Sequence, residues 1–150
     1  MNKQNNGLTV VPFKKRHLAL IKTFLFPYME DVVKIKGFWK HGPSYTVFHG
    51  DRIVFCAGVA ILREGLGEVW NISDIYAAKK PLAVTRCHRW FIDNIARGYN
   101  LRRIQSWVRI DDPQSARYNQ MIGFECEGTL RSIGLNGEDM KIFGRIYQWQ

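Results

Sequence analysis

The spacing of apolar residues changes along the chain, and each change marks the boundary of an element. LTVVPF, from Leu8 to Phe13, reads as a short strand. KKRHLALIKTFLFPYMEDVVKIK then places Leu18, Ile21, Leu25, Tyr28 and Val32 on one helical stripe. Pro27 falls inside that stripe. Proline lacks a backbone donor and its ring clashes with the preceding turn, so two short helices or a sharp kink are expected there. Gly37 to Ser44 is rich in turn residues. YTVFHG and RIVFCAGVAILRE are β-branched and aromatic runs separated by Gly50-Asp51, the signature of a hairpin. REGLGE makes another tight turn, and EVWNISDIY continues as the third strand of a meander.

The second half switches period again. PLAVTRCHRWFIDNIARGYN reads as a helix with Pro81 in its first turn, where the missing N–H costs nothing. Its apolar ladder runs Ala83, Cys87, Phe91, Ile95, with Arg86, Arg89, Asp93 and Arg97 on the opposite stripe. His88 sits one residue off that ladder, beside Arg89, and is expected at the helix surface. LRRIQSWVRI alternates as a strand, with Ile104, Ser106, Val108 and Ile110 on one face. Asp112 is placed to cap a helix that opens on Pro113 and stops at Gly123, which can take the left-handed conformation. Phe124 enters a further strand, and a turn at Asn136-Gly137 closes a terminal hairpin. Strand, two helices, three antiparallel strands, helix, strand, helix and hairpin make an α/β order with a mixed sheet.

With 150 residues, 46% of them hydrophobic, the chain can bury one core unaided by metal or disulfide, and a single domain over residues 1–150 is expected. No uncharged run exceeds about ten residues, against the roughly 18 that a membrane span needs, so no span is expected. The start, MNKQNNGLTVV, lacks the apolar core of a signal peptide. Cys56, Cys87 and Cys126 are scattered without zinc-type spacing. They read as buried thiols of a reducing, cytoplasmic compartment, and no metal site is expected. The net charge of +9 is uneven: Lys79 to Arg109 carries eight Lys or Arg against one acid, while the residues after Arg109 carry a slight acidic excess. A basic middle suits a polyanionic partner, either nucleic acid or the phosphates of a cofactor, and equally a solvated face.

One stretch carries more information than its periodicity. DDPQSARYNQMIGFECEGTLR, Asp111 to Arg131, resembles the last conserved block of the Gcn5-related N-acetyltransferase superfamily. There an Asn or Asp loop leads a short helix into Gly-Phe, followed by a strand bearing Glu-Gly and often Arg. Here those features are Asp111-Asp112, the helix up to Ile122, Gly123-Phe124, and Glu127-Gly128 with Arg131. The element order is similar to that superfamily's over most of the chain. The resemblance implies an acyl-CoA N-acyltransferase fold, a central and mostly antiparallel sheet flanked by helices. In that fold the fourth and fifth strands splay to admit acetyl-CoA, whose acetyl group passes to an amine. Within the superfamily the chain looks like the acetyltransferase-like internal virion proteins of short-tailed bacteriophages. Trp70, Ser73 and Asp74 before the basic stretch Lys79 to Arg89, then Trp107-Val108 and Ile122-Gly123, carry that likeness.

The resemblance also assigns residues. The backbone of Ile75 and Tyr76 would bind the pantetheine arm, and Lys79 and Lys80 would meet the phosphates. Asn119 stands four residues before the Gly-Phe glycine, where many members carry a tyrosine that protonates the departing thiolate; it is counted with the cofactor-facing residues. Tyr118 is one position off, a helix rotation of about 100°, and is the candidate acid. Glu68 and Asp74 bracket the fourth strand and are the candidate bases for the amine. Each has a structural alternative: Asp74 can cap the turn that follows, and Glu68 can be a solvated surface acid. IYAAKKPLAV holds no glycine where the superfamily wraps the pyrophosphate, and Pro81 removes one amide donor. Three readings stay open. They are acetyl transfer to an amine, a silent virion or assembly protein that binds protein partners in the host cytoplasm or virion, and a nucleic-acid-binding module using the basic helix with Arg102-Arg103.

Overall fold

The computed structural model describes residues 7–149 of the chain. Residues 1–6, on which part of the signal-peptide reading falls, lie outside the described residues. Among these, seven strands form one sheet: β1 (Leu8–Pro12), β2 (Ser44–His49), β3 (Arg52–Arg63), β4 (Leu66–Ser73), β5 (Arg103–Arg109), β6 (Glu125–Leu130) and β7 (Met140–Ile146). Their spatial order is β1-β2-β3-β4-β5-β7-β6, and every neighbouring pair is antiparallel except β4 and β5, which run parallel. The helices are α1 (Met29–Lys34), α2 (Pro81–Gly98) and α3 (Pro113–Met121). This is the mixed α/β architecture expected from the order of the elements, with one sheet serving as the frame.

Alternation along the strands divides the interior in two. On one face, Phe55, Ala57 and Val59 of β3 and Ile104 and Val108 of β5 form the larger core with Val84, Cys87, Ile92 and Ile95 of α2. On the other, Ile72 of β4 meets Met29 at the start of α1 and Phe38, with Trp70 and Trp39 packed around them. The Phe38 and Trp70 rings meet edge-on, 4.7 Å apart. Each fully buried Phe or Ile stabilises the fold by about 1.5–3 kcal/mol relative to exposure, so the two layers together fix the sheet on both sides.

Several elements differ from expectation, each for a local reason. The stretch around Pro27 holds a 3-10 turn at Lys15–Leu20, an extended residue at Phe24 bridged to Asp74, and only then the six-residue α1. β4 stops at Ser73 and does not run on to Tyr76, because the Asp74 side chain accepts the Tyr76 amide and turns the chain into a 3-10 helix at Ile75–Lys79. The buried face of α2 is Val84, Cys87, His88, Ile92, Ile95 and Ala96, rotated from the Ala83–Phe91 ladder, so His88 is inside and not at the surface. Ile110 is 48% exposed, beyond the buried face formed by Ile104, Ser106 and Val108. Cys56 and Cys87 are buried as expected, but Cys126 lies on β6, an edge strand exposed along its length. The α3 reading holds: the Asp112 side chain accepts the Ser115 amide at 3.0 Å, Pro113 opens the helix, and Gly123 follows it at φ +97°. Phe124 then drops into the core.

Candidate functional site at the strand notch

β4 and β5 are paired only at their beginnings, through Leu66, Gly67 and Glu68 against Arg103, Ile104 and Gln105. Beyond that the two strands part. β4 stays zipped to β3 as far as Ser73, and β5 stays zipped to β7 along its whole length, so each strand follows its outer neighbour. Sheet twist then carries them away from each other. The opening is a V-shaped notch, and a cavity of about 620 Å³ passes through it. Both sheet faces contribute to its wall. Glu68, Trp70, Trp107 and Arg109 come from one face, Val69, Asn71 and Ser106 from the other, with α1 above and His88, Tyr118, Asn119 and Ile122 below. The β6–β7 connection closes one end through Ile133, Gly134, Leu135 and Glu138.

Glu68 sits at the point of the V. Its Oε1 accepts hydrogen bonds from the Trp107 indole N–H and, at 3.4 Å, from the Gln105 amide. Parallel pairing sets Glu68 beside Gln105, and two residues further along β5 the same alternation returns Trp107 to the Glu68 face. Both bonds fall on one oxygen. Among the described residues no hydrogen bond engages Oε2, which leaves it available to a ligand in the cavity.

The floor is polar and largely buried. His88 is 1% exposed, and its Nδ1 lies 2.8 Å from the Tyr118 hydroxyl. Burial lowers the His88 pKa to about 3, so its imidazole is neutral at ordinary pH. Burial, with Tyr28 and Cys87 nearby, pushes the Tyr118 phenol well above its usual range, so it keeps its proton. Asn119 is 5% exposed and donates through Nδ2 to the Ser115 carbonyl at 2.8 Å. Two atoms, His88 Nε2 and Asn119 Oδ1, are buried without a partner among the described residues. Orphaned buried polar atoms cost stability unless a ligand or water satisfies them.

The residues expected at the site divide cleanly. Glu68, Tyr118 and Asn119 line the cavity together. Asp74 does not. It is 2% exposed, its Oδ1 accepts the Tyr76 amide at 2.9 Å, its Oδ2 accepts the Lys22 amide at 3.0 Å, and Arg52 stands 3.8 Å away. That carboxylate holds the chain together and has no access to the notch. Ile75, Tyr76, Lys79 and Lys80 also lie off the cavity. The Ile75 amide donates to the Thr23 carbonyl at 2.8 Å and the Lys80 amide to Ala77 at 3.1 Å, while Lys79 leans on the Tyr76 ring. The amides of Ile75, Tyr76 and Lys80 are therefore spent and Pro81 has none, while the first-turn amides of α2, at Leu82 and Ala83, stay open among the described residues. As placed here, Ile75, Tyr76 and Lys80 do not present the amides expected for that cofactor. His88 was missed, although the apolar positions Val84, Cys87, Ile92 and Ile95, spaced 3, 5 and 3 apart, enclose its position. Among the described residues no group of three or more His, Cys, Asp or Glu is arranged to hold a metal ion, and no helix is long and apolar enough to cross a membrane.

No family model matches the sequence, and no curated protein sequence matches it. The backbone does match solved structures. Spermidine/spermine N-acetyltransferase from Vibrio cholerae, in complex with manganese ions, superposes with a TM-score of 0.69 at 16% identity, covering 95% of this chain and 94% of that one. The ribosomal-protein-S5-alanine acetyltransferase from Vibrio fischeri gives a TM-score of 0.67 at 17% identity, with 93% of each chain covered. What is shared at such identity is the fold, that of the Gcn5-related N-acetyltransferases.

Proposed function

We propose that this protein is N-acetyltransferase-like on its acceptor side: the notch cavity binds a primary amine, with Glu68 as the residue that receives it. The observation that carries this reading is the placement of Glu68 at the point of the V, its Oε1 fixed by Trp107 and Gln105 and its Oε2 without a partner among the described residues. An ammonium group suits such a wall. Trp70, Trp107 and Tyr28 offer aromatic faces, and Asp31, Glu68 and Glu138 offer negative charge inside a protein that is otherwise strongly basic. Glu68 would hold the ammonium and take a proton from it, the first requirement of any attack by the amine nitrogen. Tyr118, a protonated phenol bonded to His88, is the one acid on the floor.

A second reading, a silent protein working as an assembly component, is favoured by one observation. The backbone amides assigned to a coenzyme A donor are already bonded within the chain. Binding without transfer would then be the whole function.

Calorimetric titration with spermidine and with a simple alkylamine tests the amine site. The wild type is expected to bind saturably, and Glu68→Gln to bind at least about tenfold more weakly, the effect of losing one charge-assisted hydrogen bond. Absence of binding, or equal affinity in the variant, would refute it.

A further inference from the structure

The Thr23–Leu25 segment lies where an acetyltransferase fold should have an open strand edge. In an antiparallel pair, successive residues point their main-chain groups to opposite edges. The Asp74 amide donates to the Val54 carbonyl at 3.0 Å, so Asp74 faces β3. Ser73 and Ile75 therefore face the other way, toward the notch. There the Leu25 amide donates to the Ser73 carbonyl at 2.9 Å, the Ile75 amide donates to the Thr23 carbonyl at 2.8 Å, and Phe24 bridges Asp74 in antiparallel fashion. The Ser73 amide is capped by the Met29 sulfur at 3.1 Å. Thr23–Leu25 is thus a short strand-like segment, bridged at Phe24 alone and added at the splayed end of β4.

We propose that this strand is a fixed replacement for the donor's arm, so that the notch serves compact ligands entering from one side and the protein takes no coenzyme A. Along the notch edge of β4, among the described residues, Val69 and Asn71 lie beyond the pairing with β5, and both line the cavity. The loop before α2 offers little to a phosphate, since the Tyr76 amide serves Asp74, the Lys80 amide serves the Ala77 carbonyl and Pro81 has no N–H, which leaves the first-turn amides of Leu82 and Ala83 without the loop amides that would complete a cradle. Asp74 locks the arrangement. Its buried carboxylate takes the Lys22 amide on the side of the added strand and the Tyr76 amide on the side of the turn. Leu25 packs against both cores, and Phe26 lies 6.4 Å from the Tyr118 ring. Lifting the strand would bare that apolar surface and strip a buried charge of its partners, a costly combination. What remains is a pocket bounded by α1 and the β6–β7 connection. This inference stands whether or not the pocket takes an amine.

Amide hydrogen exchange followed by NMR, on the whole chain with and without millimolar coenzyme A, tests it. Leu25 and Ile75 are expected to exchange slowly, and coenzyme A is expected to change neither their rates nor the melting temperature. In Asp74→Ala both amides should exchange faster, by about tenfold for each stabilising bond lost. Saturable coenzyme A binding in any form overturns the proposal. So does unprotected exchange at Leu25 and Ile75 in the free protein, or unchanged exchange in Asp74→Ala.

Discussion

His88 packs against Phe55 in the core, its ring 5.4 Å away, and its burial has a consequence for acid stability. An unfolded chain takes up a proton at this side chain as the pH falls through 6.5, whereas the folded chain stays neutral until about 3. More protons are bound by the unfolded state across that window, so folding stability is full above pH 6.5 and drops as the pH falls, by up to about 1.4 kcal/mol per pH unit. His17, lowered by burial and by Arg16 and Lys14, acts in the same direction. Urea unfolding between pH 7 and about 5 should therefore show a declining midpoint, and His88→Phe should flatten that decline even though it leaves the Tyr118 hydroxyl without its partner. An equal slope in the variant would show that His88 is not the group responsible. The thiols make a second residue-level expectation. Burial raises Cys56 to about 11 and Cys87 to about 12, whereas Cys126 is exposed. Native protein should react with a thiol reagent at one cysteine only, and unfolded protein at three.

Among the elements, the meander packs closely against the turn that leads into it. A Cβ at Gly42 would lie 1.9 Å from the Val59 carbonyl oxygen, backbone against backbone, with no flexible side chain to yield. Gly42→Ala should cost about 2–4 kcal/mol. Gly128→Ala, on exposed β6 with no heavy atom within 4 Å of the added carbon, should change stability by less than about 0.5 kcal/mol. Thermal denaturation of the pair measures the contrast, and similar melting temperatures would contradict it. The strands of this meander were legible because β-branched runs and Gly50-Asp51 are local signals. The buried face of α2 was not. A ladder of strict four-residue steps drifts about 40° per step around a helix, while the true face mixes steps of one, three and four through Val84, Cys87, His88, Ile92 and Ile95. Tyr118 and Asn119 show the same limit: both line the cavity, although they are neighbours on α3.

Across the whole molecule, the fold was readable from element order and from the Asp111 to Arg131 stretch, whose cap, left-handed glycine and buried Phe124 are all local features. The site was half readable. Glu68, Tyr118 and Asn119 come together, but Asp74 and Ile75 are drawn off by contacts with Lys22 and Thr23 some fifty residues earlier, and nothing in the local pattern announces such a pairing. The charge is similarly distributed in a way composition does not show. Arg103 and Arg145 are tied to Glu127 and Asp93, while Arg86, Arg89 and Arg97 stand exposed on the outer side of α2. The notch itself is the feature on which the proposed function rests. Its most direct probe is the indole N–H of Trp107, which donates to Glu68 and is one of five tryptophan reporters in the chain. Titrating labelled protein with spermidine should shift the Trp107 resonance saturably, with Trp149 unmoved, and Glu68→Gln should abolish the shift. A Trp107 signal that stays in place while the amine binds elsewhere, or that does not respond at all, would contradict an amine site in the notch.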